Sequence, residues 1–554
     1  MQPSYVHHVR QQIFDYGETR SYTYLREAGR ELSEDVVTYL ELDRDARAVA
    51  VWLADRPESA QPVVLLYHDG LAFLRAFLGC LYAGVIAVPA PLPHDERSTQ
   101  RLAGVIADSG AQLVLTTSDV RPLVADATSQ LVAATDGPLG DPDDWRMPDI
   151  DAGTIAFLQY TSGSTGTPKG VVVTHGNLMH NEAAIASIGL NDAATVVSWI
   201  PHFHDMGLIG SLLGALYIGA NLVFMAPTTF LKRPVRWLQA ISTYRATYTA
   251  APNFAYDLIA RRVTDVQVAE LDLSTLEVAL SGAEPVRERT IAAVLERFAP
   301  AGLRPTVFLP AYGLAEVTLL ASAGSIAAAP VHLDHGRGTR LVGCGRAARG
   351  LDVRIIDPHT RQQLPEDEVG EIWIRGGSVA AGYWNRAEAT RETFDAYIGA
   401  EGPFLCTGDL GLLHDGELFV TGRSKDLLII NGRNIYPHDI EDLVRDLHPA
   451  LGAAGVAVSV DAGGRERLVV LQGVKTARQG GKTLVDLSSA IKNAVARGFD
   501  VAAPSVVLVE PRSVHRTTSG KVQRSSMRES FLADRLESVL LEDLEPALSR
   551  SLTA

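Results

Sequence analysis

Between residues 48 and 320, short apolar runs alternate with stretches of helical period. Ala48–Leu53 and Pro62–Tyr67 read as strands and Gly70–Tyr82 as a helix. Val85–Val88 reads as a strand ended by Pro89-Ala90-Pro91, Ser98–Ser109 as a helix and Gln112–Thr116 as a strand. Before them, Ala28–Leu40 carries the pattern of a short helix. This βαβα order predicts mainly parallel sheets covered by helices. The longest apolar stretch, Gly207–Pro227, is broken by Gly219-Ala220-Asn221. It predicts a buried helix (Leu208–Tyr217) and a buried strand (Leu222–Met225), not a membrane span.

The alternation resumes at Asn177 and ends near Leu320. From Arg340 the strands become short and closely spaced: Leu351–Ile356, Gly370–Arg375 and Glu417–Thr421. They predict a small β-rich subdomain. Beyond Gly422-Arg423-Ser424-Lys425-Asp426 the pattern is compact α+β. Ile440–Leu447 is a helix, and Ala454–Val460 pairs with Arg467–Val474 across Asp461-Ala462-Gly463-Gly464. Thr483–Arg497 is a helix, Ser505–Val509 a strand, and Arg535–Leu544 an amphipathic terminal helix stopped by Pro546. The expected architecture is therefore α/β. A large N-terminal core (1–422) of covered, mainly parallel sheets includes the β-rich subdomain. A hinge (423–426) leads to a small mobile α+β domain (427–554).

The chain is organised around Ile155–His175. Apolar Ile155–Leu158 feeds the loop Thr161-Ser162-Gly163-Ser164-Thr165-Gly166-Thr167-Pro168-Lys169-Gly170, and Val171-Val172-Val173 follow at once. Three glycines and five hydroxyls in those ten residues expose N–H groups and donors suited to phosphate oxygens. A Walker loop needs Gly before the Lys and a helix after it. Here Pro168 precedes Lys169 and β-branched residues follow, so the expectation is a strand–loop–strand phosphate flap.

Composition narrows the classes. At 554 residues the chain needs more than one core. Its 46% hydrophobic and 21% charged content is that of an ordinary globular protein. A net charge of -15 argues against a general nucleic-acid binder. Cys80, Cys344 and Cys406 are far apart and odd in number, so neither a disulfide framework nor a metal spacing follows and a reducing, cytoplasmic setting is expected. The start, MQPSYVHHVR, has no apolar core, so no signal peptide is expected.

Further clusters sit where strands end, the place ligands bind in parallel α/β sheets. Pro201-His202-Phe203-His204-Asp205-Met206 follows the apolar run Val196–Ile200, and its His-Asp pair suits a carboxylate or phosphate. Ser281-Gly282-Ala283-Glu284-Pro285 follows Val278–Leu280, and Gly282 would let a flat base approach the backbone. Ala311-Tyr312-Gly313-Leu314-Ala315-Glu316 follows Thr306–Leu309. Tyr312 can stack on a base, and Glu316 is a hard ligand suited to Mg2+ held mainly by phosphates. Thr407-Gly408-Asp409 with Gly422-Arg423 offers a carboxylate for ribose hydroxyls. Arg516-Thr517-Thr518-Ser519-Gly520-Lys521 is a glycine-containing loop ending in a lysine, within the most basic stretch of the chain. Each alone would more often be an ordinary turn or a solvated face.

Together, in this order, these pieces resemble the adenylate-forming superfamily of acyl-CoA synthetases, luciferase-like enzymes and nonribosomal-peptide adenylation domains, over nearly the whole chain. The resemblance implies ATP and Mg2+ as cofactors. It assigns the loop Thr161, Ser162, Gly163, Ser164, Thr165, Gly166 and Lys169 to the pyrophosphate end of ATP. It assigns Gly282, Ala283 and Tyr312 to adenine, Glu316 to magnesium, Asp409 and Arg423 to ribose, Lys521 to adenylation and Lys425 to the hinge. A closer similarity is to fatty acyl-AMP ligases, carried by Phe77–Ala90, His204–Gly210, Phe230–Leu238 and Ala251–Asp257. It implies activation of a fatty acid as its adenylate and transfer to the thiol of an acyl carrier protein, in polyketide or lipopeptide assembly. His204 then joins the catalytic group, and Asp205, Met206, Gly207, Asn253 and Phe254 line the acid. Members of that group carry an inserted segment after the Tyr-Gly-x-x-Glu motif that disfavours CoA. Here Ser322–Val342 is short and rich in Ala and Gly, which leaves CoA open as the acceptor. The alternatives are a fatty acyl-CoA synthetase, or a catalytically inactive binding protein on the same fold. An amino-acid-activating domain fits less well, because His204-Asp205-Met206 stands where such domains carry a Phe-Asp pattern.

Overall fold

The computed structural model describes residues 3–29, 31–161, 168–334, 340–430, 433–462, 466–516, 522–546 and 548–549. The chain forms two compact units. The first takes most of the chain up to Val420; the second begins at Thr421 and takes in Gly408–Leu410.

Two covered sheets build the first unit. A nine-stranded sheet has the spatial order Arg346–Ala347, Leu320–Ala323, Phe308–Gly313, Val278–Ser281, Tyr248–Ala251, Thr195–Ser198, Asn221–Met225, Ser21–Ala28, Glu31–Thr38. Its centre is parallel and its edges antiparallel. A six-stranded sheet has the order Leu131–Ala134, Leu113–Thr116, Val63–Leu66, Ala87–Ala90, Ile155–Thr161, Lys169–Thr174. Its last two strands are the antiparallel hairpin expected around the glycine loop, with Thr161 opposite Lys169. The central strands Val63–Leu66, Ala87–Ala90 and Leu113–Thr116 are buried throughout, which is why they read as unbroken apolar runs. The β-rich subdomain follows: Leu351–Ile356, Gly370–Gly376, Glu401–His414 and Ala396–Ile398, with Glu417–Arg423 paired to Glu401–His414.

In the second unit a four-stranded sheet (Gly455–Asp461, Glu466–Gly473, Ser505–Val509, Val539–Asp543) packs with helices Pro437–Asp446, Leu484–Phe499 and Arg524–Leu532. No helix among the described residues is long and apolar enough to cross a membrane.

Four expectations need correction. Ala28–Leu40 is not a helix: Glu31–Thr38 is a strand antiparallel to Ser21–Ala28. The helix begins one residue later, at Tyr39, and runs to Ala54, so it absorbs Ala48–Leu53, which reads as a strand. Its start is set by a capping box, with Glu41 N–H donating to Thr38 Oγ1 (3.2 Å) and Thr38 N–H to Glu41 Oε2 (2.8 Å). Its buried positions 39, 42, 46, 49, 50 and 53 follow helical spacing, but small Ala and Val between them hide the period. The terminal segment Arg535–Leu544 is not a helix either. Asp534 and Ser538 take positive φ, and Val539–Asp543 adds to the edge of Ser505–Val509. An unpaired strand edge supplies backbone partners that local propensity cannot anticipate. Finally, the strand expected at Thr306–Leu309 is Phe308–Gly313, which places Tyr312 on the strand itself.

The apolar stretch after Gly207 holds a further departure. Leu208–Leu213 is a π-helical segment inside the expected helix. Such a segment disturbs the regular carbonyl partners. Tyrosine hydroxyls meet the carbonyls around it: Tyr22 donates to Leu212 O (2.5 Å) and Tyr5 to Leu213 O (2.6 Å). Tyr39 hydroxyl reaches Ala215 O (3.0 Å) and Ala220 O (2.7 Å). Each such bond contributes about 1 kcal/mol net, and more is lost when a buried partner is left unpaired.

Candidate active site

The strand Ile155–Thr161 and its partner Lys169–Thr174 deliver the two ends of the glycine loop. Ser162, Gly163, Ser164, Thr165, Gly166 and Thr167 lie outside the described residues, as does Lys521. Gly170 lies flat against the Tyr160 ring, where a Cβ would stand 2.9 Å from Cζ. The segment 380–384 lies alongside the second strand, with Val172 N–H donating to Gly382 O (2.9 Å) and Trp384 N–H to Gly170 O (2.8 Å).

That pairing brings Tyr383 to the centre of the site. Its hydroxyl donates to Glu316 Oε1 at 2.8 Å. The ammonium of Lys169 lies over its ring, 4.8 Å from the centroid. Burial and the Glu316 carboxylate hold the phenol far above its ordinary pKa, so it remains a donor. One tyrosine thus links the lysine that closes the glycine loop to the carboxylate expected to serve a metal. Tyr383 was not legible as a site residue: it stands in Gly382-Tyr383-Trp384, far from both partners in sequence, and only the bridge between Val171 and Tyr383 places it there.

The loop bearing Glu316 is clamped from three sides. Asn181 Nδ2 donates to Val317 O (3.1 Å) and Leu320 O (3.0 Å), and its Oδ1 accepts from Leu320 N–H (3.1 Å). Thr318, at φ +65°, donates through its hydroxyl to Ser378 O (2.7 Å). Ala380 N–H donates to Glu316 O (2.9 Å). Gly313 is required where the strand shifts register, because a Cβ there would stand 1.8 Å from Leu319 O. Asn177, one turn before Asn181, donates to Gly377 O (3.0 Å) and Val379 O (2.8 Å). These two asparagines are also residues that sequence reasoning missed, since buried amides that bind distant carbonyls leave no pattern along the chain.

The His-Asp corner forms as expected at a strand end. His204 caps the short helix Asp205–Gly207, and its Nδ1 lies 2.6 Å from Asp205 Oδ1. Asp205 Oδ1 also accepts from Met206 N–H (2.7 Å). Gln159 Nε2 donates to Phe203 O (3.0 Å), tying this corner to the strand that enters the glycine loop. Gly207 packs onto the backbone, where a Cβ would stand 2.2 Å from Pro201 O.

In the Ser281–Pro285 turn Gly282 lies close to Ala311 O, 3.0 Å from a would-be Cβ, and Ala283 takes φ +66°. A left-handed alanine is strained and needs support. Glu284 supplies it by accepting from Phe254 N–H, and Asn253 Oδ1 accepts from Arg287 N–H (3.0 Å). Asn253 Nδ2 donates to Thr290 Oγ1 (3.3 Å), and Phe254 meets the Trp199 ring edge-on at 6.1 Å. Phe254 thus holds the Ser281–Pro285 turn through Glu284, and Asn253 holds the start of helix Glu288–Phe298 through Arg287 and Thr290.

Within the second unit Asp409, nearly buried, pairs with Arg423, Oδ1 to Nε at 3.0 Å. Lys425 lies in the short turn Ser424–Asp426. Arg524 donates to Asp426 Oδ2 (3.2 Å) and to both oxygens of Glu441 (2.7 and 2.6 Å). Two carboxylates hold its guanidinium firmly charged. The helix that follows the Lys521 loop is thus bound to the residue after Lys425.

No group of three or more His, Cys, Asp or Glu capable of holding a metal occurs among the described residues. Glu316 fits a hard cation that takes its remaining ligands from phosphate and water.

Loops at strand ends thus bring a lysine, a tyrosine and a carboxylate together in a covered α/β fold. Residues 16–384 match the family model of the AMP-binding enzymes, and residues 425–539 match that of the Disco-interacting protein 2-like AMP domain. The chain is 41% identical to the medium-chain-fatty-acid–[acyl-carrier-protein] ligase JamA of Moorena producens, covering 94% of this chain and 93% of that one. A fatty acyl-adenylate ligase of Legionella pneumophila, solved with acyl adenylate and pyrophosphate, superimposes with a TM-score of 0.75 at 36% identity, covering 97% of each chain. A structure from a study of the fatty acyl-adenylate ligases of E. coli and L. pneumophila superimposes with a TM-score of 0.85 at 31% identity, covering 96% of this chain and 98% of the other. The chain belongs to the AMP-binding enzyme family of adenylate-forming ligases, within its fatty acyl-AMP ligase group.

Tyr383→Phe is expected to lower adenylate formation about tenfold, the value of one hydrogen bond to a charged group. The Mg2+ concentration for half-maximal rate should rise while the KM for the acid stays put. A rise in acid KM alone would mean that Tyr383 does not act through Glu316.

Proposed function

We infer that this protein activates a fatty acid with ATP, forming acyl-adenylate and pyrophosphate. It then passes the acyl group to the phosphopantetheine thiol of an acyl carrier protein, in a cytoplasmic polyketide or lipopeptide pathway. The first step is carried by one observation: Tyr383 joins Lys169, at the end of the glycine loop, to the Glu316 carboxylate. The acid and the acceptor are supported by the end-to-end likeness to a medium-chain fatty-acid–carrier-protein ligase.

A carboxylate is a weak nucleophile, and here it must attack another anion. Positioning and charge neutralisation must therefore supply most of the rate. Lys169 and the glycine loop would steady the departing pyrophosphate. A magnesium ion held by Glu316 and the nucleotide's phosphates would offset charge at the attacking and bridging oxygens. Tyr383 keeps Glu316 oriented. His204, held by Asp205, faces the acid. Gly282, Ala283 and Tyr312 would take the adenine, and Asp409 with Arg423 the ribose. Lys521 would meet the reacting phosphate during adenylation, and rotation about Lys425 would withdraw it before transfer.

The acceptor is tested by offering the purified enzyme ATP, a medium-chain fatty acid, CoA and holo-carrier protein together. The expected product is acyl-carrier protein, with acyl-CoA formed at least about tenfold more slowly. Preferential acyl-CoA formation would make the enzyme an acyl-CoA synthetase. That reading draws on Ser322–Val342, whose described residues include the end of strand Leu320–Ala323 and the hairpin of His332–Asp334 with Arg340–Val342.

A further inference from the structure

Helix His175–Ala186 carries an acid that the adenylation chemistry does not use. Glu182 is fully buried, and neither of its carboxyl oxygens has a hydrogen-bond partner. Burial alone pushes its pKa well above the carboxylate range, and no cation opposes it. Burial with no partner and no cation favours the neutral carboxylic acid, which has one O–H to donate and a carbonyl oxygen to accept. Its polar neighbours are already committed elsewhere: Tyr5 and Tyr22 hydroxyls serve Leu213 O and Leu212 O. The nearby Leu208, Ile209, Leu213 and Leu216 are fully buried. A leucine would pack here without the penalty an unpaired acid carries.

The position of Glu182 relative to the reacting end is set by glycines. Its Oε2 lies 3.2 Å from where a Cβ on Gly214 would stand. One turn earlier, a Cβ on Gly210 would stand 3.0 Å from Leu319 Cδ2. Leu319 is only partly buried, lies three residues after Glu316, and has its backbone fixed by Leu314 N–H donating to its carbonyl (3.0 Å). Its side-chain tip is flexible matter against bare helix backbone. Asn181, next to Glu182, holds the carbonyls of Val317 and Leu320. The glycine edge of the helical stretch that begins at Asp205 thus runs from the His204–Met206 corner, past Leu319, to Glu182. At helical rise, Asp205 to Gly214 spans roughly 14 Å, the reach of a medium-length alkyl chain.

We propose that Glu182 is the polar end of the acyl pocket and that the preferred acid carries a hydroxyl at its far end. The proposal rests on the fatty-acid adenylation reading. A terminal hydroxyl donates to the Glu182 carbonyl oxygen and accepts from its O–H, so one group satisfies both halves of the acid. Leu319 gives way to admit the chain.

The test is acid-dependent ATP–pyrophosphate exchange with octanoic, decanoic and dodecanoic acids and their ω-hydroxy counterparts, using wild type, Glu182→Gln and Glu182→Leu, with thermal unfolding of each. Wild type should favour the ω-hydroxy acid at one chain length by at least about tenfold in kcat/KM. Glu182→Leu should invert the preference, raising kcat/KM for the plain acid and lowering it for the hydroxy acid. Glu182→Gln, whose amide also donates and accepts, should keep the sign at smaller size. A wild-type preference for the plain acid at every length overturns the proposal. So does an equal loss on both series in Glu182→Leu, which would make Glu182 a structural acid satisfied by water. Exchange with none of the acids would overturn the fatty-acid reading itself.

Discussion

Lys521→Ala is expected to lower acyl-adenylate formation by about 10²–10³-fold while leaving acyl transfer from supplied acyl-adenylate intact. The first step brings a carboxylate onto a phosphate, and the transition state gathers negative charge between them. A single ammonium delivered at that moment, in a site that excludes water, is worth far more than the same charge in water. The second step needs no such cation, because the carboxyl is already activated and the thiol is the nucleophile. Lys521→Arg should rescue little, since a planar guanidinium does not replace a compact point charge. Arg524 ties the helix after Lys521 to Asp426, the residue after Lys425. Pyrophosphate release measures the first step, and single-turnover acylation of holo-carrier protein from synthetic acyl-adenylate measures the second. Equal loss in both would remove the hinge exchange.

Glu316→Gln should be nearly as damaging to adenylation, by about 10²-fold, and should raise the Mg2+ requirement. The amide keeps the shape and can still accept from Tyr383 but loses the charge that a hard cation requires. Because Glu316 and Tyr383 act through one contact, the double variant Glu316→Gln/Tyr383→Phe should cost less than the product of the two single losses. Strict multiplicativity would show that the tyrosine and the carboxylate work independently. Unfolding curves close to wild type for both single variants are expected, since the loop is held separately by Asn181, Thr318 and Ala380.

The sequence by itself determined the layered α/β class, the hairpin around the glycine loop and the strand-end corners at His204 and Gly282. It could do so because these features are local. Buried parallel strands are unbroken apolar runs, and loops that approach phosphate or base need glycine whatever surrounds them. Tertiary structure alone decided the rest. Ala48–Leu53 looks like a strand because small Ala and Val residues between the buried positions of its helix hide the helical period; the Thr38 cap marks where that helix begins. Val539–Asp543 became a strand because the edge of Ser505–Val509 was open to it. Tyr383 became part of the site because strand Lys169–Thr174 has a second partner far along the chain. Glu182 reads in sequence as one more polar residue on a helix, and only the fold, by closing apolar side chains around it and setting Gly214 against it, turned it into an unpaired acid. Pairings across a hundred residues or more depend on which surfaces meet, and that is fixed by the whole core rather than by any stretch of it.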